Sequence, residues 1–105
     1  MQIYSIFLSD LAKTDLQNIV SYITAADSIT RAKYVEHGIL SAMKRLERFP
    51  TAYPKDRYAT KADSEIRFLM KWRYKILFFI DKNTVQVVRI FHTAQNPEKL
   101  SNITA

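Results

Sequence analysis

Cysteine is absent from this 105-residue chain, and glycine occurs once. The first absence removes disulfides and thiolate chemistry, which suits a reducing compartment. The second removes the phosphate-cradling loop, the dinucleotide-binding turn and the nucleophile elbow, all of which need glycine where backbone must approach a ligand or turn sharply. Only two histidines are present. With no cysteine they cannot complete a closed zinc site without unusual carboxylate help, so neither a metal nor a cofactor is expected. Long apolar runs are missing as well. The longest, Ile76 to Ile80, is far short of the roughly twenty residues that span a bilayer. The opening Met1-Gln2-Ile3-Tyr4-Ser5-Ile6 has no basic start and no small-residue cleavage site, so a soluble, cytoplasmic protein is the expectation.

What is present is a core and a positive charge. Apolar residues make up 48%, with six Phe, six Tyr and one Trp, enough to close one small domain over residues 1–105. Sixteen Lys and Arg against ten Asp and Glu leave a net charge of +6. That excess favours a polyanionic or acidic partner, although basic side chains also serve solubility alone.

Ile3 to Leu8 reads as a strand apolar on both sides. Ser9-Asp10 offers a helix cap, and Leu8, Leu11, Ala12, Leu16, Ile19, Val20 and Ile23 follow at helical spacing to about Thr24–Ala26. Asp27-Ser28 caps a second helix that carries Ala32, Val35, Ile39, Met43, Leu46 and Phe49 on one face and is stopped by Pro50. Gly38, in mid-helix, either lets the first helix approach closely or is a tolerated surface glycine. Thr51 to Ser64 lacks a pattern and reads as a loop. Glu65 to Met70, Tyr74 to Ile80 and Thr84 to Phe91 read as strands, the last two joined by Asp81-Lys82-Asn83. The polar tail begins at Thr93. The order β-α-α-β-β-β predicts an α+β fold: a four-stranded, mainly antiparallel sheet with a helical hairpin on one face.

Chemistry is left to a cationic set in the C-terminal half. Arg67, Lys75 and His92 are the candidate catalytic residues, and Lys71, Arg73 and Arg89 the candidate RNA-binding ones. Alternation places Arg67 with Lys71, and Arg73 with Lys75. If both sets lie on the helix-free face they form a basic patch with Trp72 or Tyr74 at its edge. RNA cleavage by a 2′-hydroxyl builds negative charge on phosphate oxygens. Fixed Arg and Lys donors stabilise that charge, and a histidine moves the proton. The same residues also read more simply: Lys71-Trp72-Arg73 as a solvated turn, Arg89 as an edge-strand charge, and His92 as a hydrogen-bonded strand end. His37, in mid-helix, reads as structural or exposed.

Several stretches together resemble the RelE/ParE toxin superfamily of type II toxin–antitoxin systems. They are Leu8-Ser9-Asp10-Leu11-Ala12 with Asp15-Leu16 and Ile19 to Tyr22; Leu46-Glu47-Arg48-Phe49-Pro50; Glu65-Ile66-Arg67; Tyr74 to Phe78; and Val87-Val88-Arg89-Ile90-Phe91-His92 with Gln95-Asn96-Pro97. The resemblance implies the same α+β fold and a cognate antitoxin bound in a hetero-oligomer. RelE-like members are endoribonucleases, often cutting mRNA on the ribosome, whereas ParE-like members poison DNA gyrase. Arg67 matches a basic residue of the second strand, and His92 a histidine that ends the last. Lys75 stands where many nucleases carry arginine, which forfeits bidentate phosphate geometry. No counterpart of the loop general base or C-terminal tyrosine of some ribosome-dependent members is evident. The basic strands and His92 favour mRNA cleavage and translation inhibition; the long hairpin favours the gyrase alternative.

Overall fold

Ser9 begins the first helix as its position predicts: its hydroxyl accepts the Ala12 N–H at 3.0 Å, satisfying a first-turn donor that has no partner within the helix. The computed structural model describes residues 2–57 and 65–94. Strand β1 (Ser5–Leu8) leads into helix α1 (Asp10–Ala26), and helix α2 (Ile29–Lys44) returns antiparallel to it. Ser28 caps α2 by accepting the Arg31 N–H at 3.0 Å. Strands β2 (Arg67–Lys71), β3 (Tyr74–Asp81) and β4 (Thr84–His92) complete the order β-α-α-β-β-β. The sheet runs β1-β4-β3-β2, with β1 parallel to β4 and the other neighbours antiparallel.

The hairpin covers one face. Ala12 and Leu16 of α1, with Val35, Ile39, Ala42 and Met43 of α2, pack on Leu69, Ile76, Phe78, Val85, Val87 and Ile90. On the opposite face a second cluster joins Ile66, Leu77, Phe79, Val88 and Phe91. Burial on both faces explains why β3 is apolar without alternation.

Several element ends depart from expectation, among them β2, which runs Arg67–Lys71 and not Glu65–Met70. The first strand starts at Ser5 and not Ile3, because the Tyr4 N–H is spent on the Glu47 carbonyl at 2.9 Å. Helix α2 stops at Lys44, six residues before Pro50, and tightens into a 3₁₀ turn at Arg45–Glu47. Pro50 instead starts a further 3₁₀ turn, Pro50–Ala52, where its missing N–H costs nothing. Phe49 before it adopts a left-handed φ of 54° and points outward, 64% exposed, so it leaves the apolar face assigned to it. Leu11 is likewise exposed. Of the loop expected over 51–64, residues 58–64 lie outside the described residues, as does the tail beyond Ala94.

Gly38 answers to neither expected role. A methyl group there would overlap Cη2 and Cζ3 of Trp72, so the glycine makes room for an indole and not for α1. Trp72 reaches it from the two-residue turn between β2 and β3, at a left-handed φ of 52°. Gly38→Ala is expected to destabilise the fold by about 1 kcal/mol: overpacking costs about 1–3 kcal/mol, offset by about 1 kcal/mol of helix propensity. Because Trp72 is the sole tryptophan, urea denaturation followed by its emission reads both the stability and the displaced ring. An unchanged emission spectrum would contradict the packing.

Candidate functional site

The six candidate residues do not share a surface. Five lie on strands, and Arg73 sits in the β2–β3 turn beside Tyr74 and His92, apart from Lys75, with which alternation grouped it. Leu69 faces the hairpin, so Arg67 and Lys71, two residues either side of it, lie on that face as well. Lys75 is paired across the sheet with Met70 and Phe91 and lies on the other. The single basic patch expected on the helix-free face is therefore divided between the two faces.

Three of the six are engaged by the fold itself. The Arg67 guanidinium donates to the Tyr53 carbonyl at 2.7 Å and to the Glu65 carboxylate at 3.2 Å. Glu65 also pairs with Lys55 at 2.9 Å. The hydrogen bond and charge of Lys55 hold its carboxyl below the ordinary value, with a smaller contribution from Arg67. Lys75 donates to Asp56 at 2.5 Å while its ammonium lies 4.4 Å from the Phe68 ring centre. The Asp56 side chain is fully buried.

Arg89 forms a two-pronged pair with Asp15 of α1, Nε to Oδ2 at 2.7 Å and Nη2 to Oδ1 at 3.0 Å. The hydrogen bond that Arg89 donates to Asp15 raises the Arg89 pKa further, against the opposing effect of burial. The same carboxylate accepts the Ile90 N–H at 2.9 Å. This arrangement follows from the sheet. β1 ends opposite Val87, so beyond it the edge of β4 is open, and a register shift there makes Val88 an extra residue. The exposed edge is closed by Ser9, which donates its N–H to Val87 and its hydroxyl to Val88, and by Asp15.

His92 pairs with Tyr74 across the β3–β4 ladder and meets its ring edge-on at 5.3 Å. Its Nδ1 accepts the Ala94 N–H at 3.1 Å, which leaves Nε2 as the donor in the neutral ring. Arg67 lies opposite Phe78, four residues along β3 from Tyr74, about 13 Å at the rise of a strand. Arg67 and His92 are also separated by β3, and Lys75 is on the other face. The three candidate catalytic residues are thus spread over both faces of the sheet.

Around His92 a different group assembles. A cleft of about 640 Å³ is bounded by Tyr22, Ala26 and Asp27 from the end of α1, Arg31 and Tyr34 from the start of α2, Trp72 and Arg73 from the β2–β3 turn, and Tyr74 and His92. Tyr34 stacks on Trp72, with centroids 5.5 Å apart. Lys71 lies 4.5 Å from the Trp72 ring and Arg31 lies 5.7 Å from that of Tyr34. Burial pushes the Tyr74 phenol up, and the Arg31 charge pulls it partly back. A neighbouring hollow of about 500 Å³ shares Tyr22, Tyr74 and His92 and reaches Asp15. Among the described residues, no three His, Asp or Glu side chains are grouped to hold a metal, and no helix is long and apolar enough to cross a membrane.

A family model described as the ParE toxin of the type II toxin–antitoxin system parDE matches residues 6–97. The chain belongs to the ParE toxin family. Two solved structures share its fold. One is a chromosomal ParDE toxin–antitoxin system from P. aeruginosa, with a TM-score of 0.69 and 18% identity over 86% of this chain and 96% of that one. The other is the RelBE2 toxin–antitoxin complex from Mycobacterium tuberculosis, with a TM-score of 0.55 and 24% identity over 90% of this chain and 97% of that one. No curated protein matches by sequence.

Within this ParE-family fold, the stretches that carried the resemblance take definite places. Asp15 and Arg89, from two of them, prove to be partners 74 residues apart. Gln95-Asn96-Pro97 lies outside the described residues. Sequence reasoning passed over Arg31 and Tyr34 and saw Tyr22 only as part of a family stretch. Their available signal was two large aromatics on either side of a two-residue helix connection, 73% and 60% exposed. His37, the other histidine, is exposed and sits 3.4 Å from the Ser41 hydroxyl.

Proposed function

We propose that this toxin acts by binding a protein, in the manner of a DNA gyrase poison, and that a cognate antitoxin neutralises it. The observation that carries this reading is the fate of its strand cations. Arg67, Lys75 and Arg89 are each held by an internal oxygen acceptor, so none is presented with His92 as a phosphate-stabilising constellation. An endoribonuclease working through Arg67, Lys75 and His92 would need those groups within reach of one scissile phosphate, whereas Lys75 lies on the face opposite to Arg67 and His92. The hairpin, by contrast, leaves Leu11, Ile29 and Leu40 exposed outside the His92 cleft, large apolar side chains available for a protein contact. The antitoxin part of the proposal is supported by the family match and by the complexes in which the two similar folds occur.

Induction of the chain alone in a naive host, with parallel assays of supercoiling and transcript integrity, separates the alternatives. The expected result is growth arrest, a DNA-damage response, inhibition of purified gyrase, and intact mRNA. Cut transcripts with unaffected gyrase would establish the endoribonuclease instead. Co-expression of a cognate antitoxin should restore growth.

A further inference from the structure

We infer that the cleft at the hairpin tip binds a nucleoside phosphate without reacting with it, a contact separate from the toxin's protein target. The inference does not depend on gyrase being that target. Two properties of the cleft point to this ligand. The first is charge that is not spent. Among the described residues, neither Arg31 nor Arg73 is paired with a carboxylate, in contrast to Arg67, Lys75 and Arg89. Asp27 is the one acidic residue at the rim. Two guanidinium groups and the His92 ring therefore face a cleft of about 640 Å³, a volume within the range of small-ligand sites. Arginine forks match phosphate oxygens in geometry as well as charge.

The second property is the density of aromatic faces. Tyr22, Tyr34, Trp72 and Tyr74 come from four different elements to line one space. An aromatic face accepts any base by stacking, and beside cations it makes a sequence-tolerant nucleotide platform. Part of this wall is already ordered. Trp72 is seated in the recess left by Gly38 and stacked on Tyr34, with Lys71 and Arg31 over the two rings. The Trp72–Tyr34 part of the wall therefore needs little further ordering to bind. An acidic protein segment would satisfy the arginines but carries a planar group only where its own sequence supplies one, whereas every nucleotide joins a base to its phosphate, so the nucleotide is favoured.

The sole tryptophan reports on occupancy directly. Purified full-length protein is titrated with thymidine monophosphate, an oligothymidylate hexamer and oligoglutamate, following Trp72 emission and, for a labelled hexamer, anisotropy. The nucleotide probes should quench Trp72 saturably, and hexamer binding should weaken with salt. Arg31→Ala and Arg73→Ala, both at exposed positions, should each weaken nucleotide binding by about tenfold, while Lys82→Ala on the far turn leaves it unchanged. A hexamer that binds more tightly than the monomer assigns the cleft to a single strand; equal affinities assign it to a free nucleotide. The proposal is overturned if both arginine variants bind like the parent, if oligoglutamate alone quenches Trp72, or if no probe does.

Discussion

Lys75→Ala is expected to lower folding stability by about 3 kcal/mol, because it leaves the Asp56 carboxylate buried without its ammonium partner. Breaking a buried ion pair from one side costs about 3–5 kcal/mol. The lower end applies because the Lys75 side chain retains 17% exposure while that of Asp56 has none. In a domain of this size the loss corresponds to a fall in Tm of roughly 12–24 °C. Removing both charges with apolar residues of similar size, as in Lys75→Met with Asp56→Leu, should recover most of the loss, since desolvation of the pair is removed along with its attraction. Calorimetry on the single and double variants measures both effects. A Lys75→Ala protein that melts like the parent but has lost toxicity would instead establish a direct functional role for the ammonium.

Asp15→Ala should have an effect of similar size, also about 3 kcal/mol, by a different route. The carboxylate performs two tasks, pairing with Arg89 and accepting the Ile90 N–H. Arg89 is 28% exposed and can turn toward water, so losing the pair costs about 1 kcal/mol. The buried Ile90 amide cannot turn away, and leaving it unsatisfied costs a further 1–3 kcal/mol or so. Asp15→Asn keeps an acceptor for the amide and removes the charge, so it should lose only about 1 kcal/mol. Chemical denaturation gives the two stabilities, and amide exchange at Ile90 should accelerate strongly in Asp15→Ala alone. Equal losses in both variants would mean that the charge, and not the amide cap, holds the edge of β4.

Local pattern was enough for most of the elements. Ser9 and Ser28 announce the helices because a short hydroxyl satisfies first-turn amides whatever lies nearby. The apolar spacing of Ala32, Val35, Ile39 and Met43 identified the face of α2 that is buried. Misjudged positions arise where a remote group competes or where the residue before a proline leaves the helical region. Tyr4 bonds to Glu47 and shortens the first strand, while Phe49 turns out of the helical stripe into a left-handed conformation before Pro50. The site was less legible than the fold. Alternation correctly grouped Arg67 with Lys71, but no local signal says which face of a strand meets the helices when both faces are apolar.

The basic strand residues thus mark the limit of sequence reading. Composition by itself excluded thiolate chemistry and glycine-dependent phosphate loops, because those chemistries require residue types that are absent or occur once. Periodicity by itself determined the α+β order, because caps, alternation and helical spacing are short-range properties. The tertiary structure alone decided that Lys75 answers Asp56, that Arg89 answers Asp15 across 74 positions, and that Arg31, Tyr34, Trp72, Arg73 and His92 share one cleft. A charge has no fixed role until its neighbours in space are known. Three of the cations that suggested a basic patch, Arg67, Lys75 and Arg89, are tied into the frame, while Arg31 and Arg73 line the cleft at the tip of the hairpin.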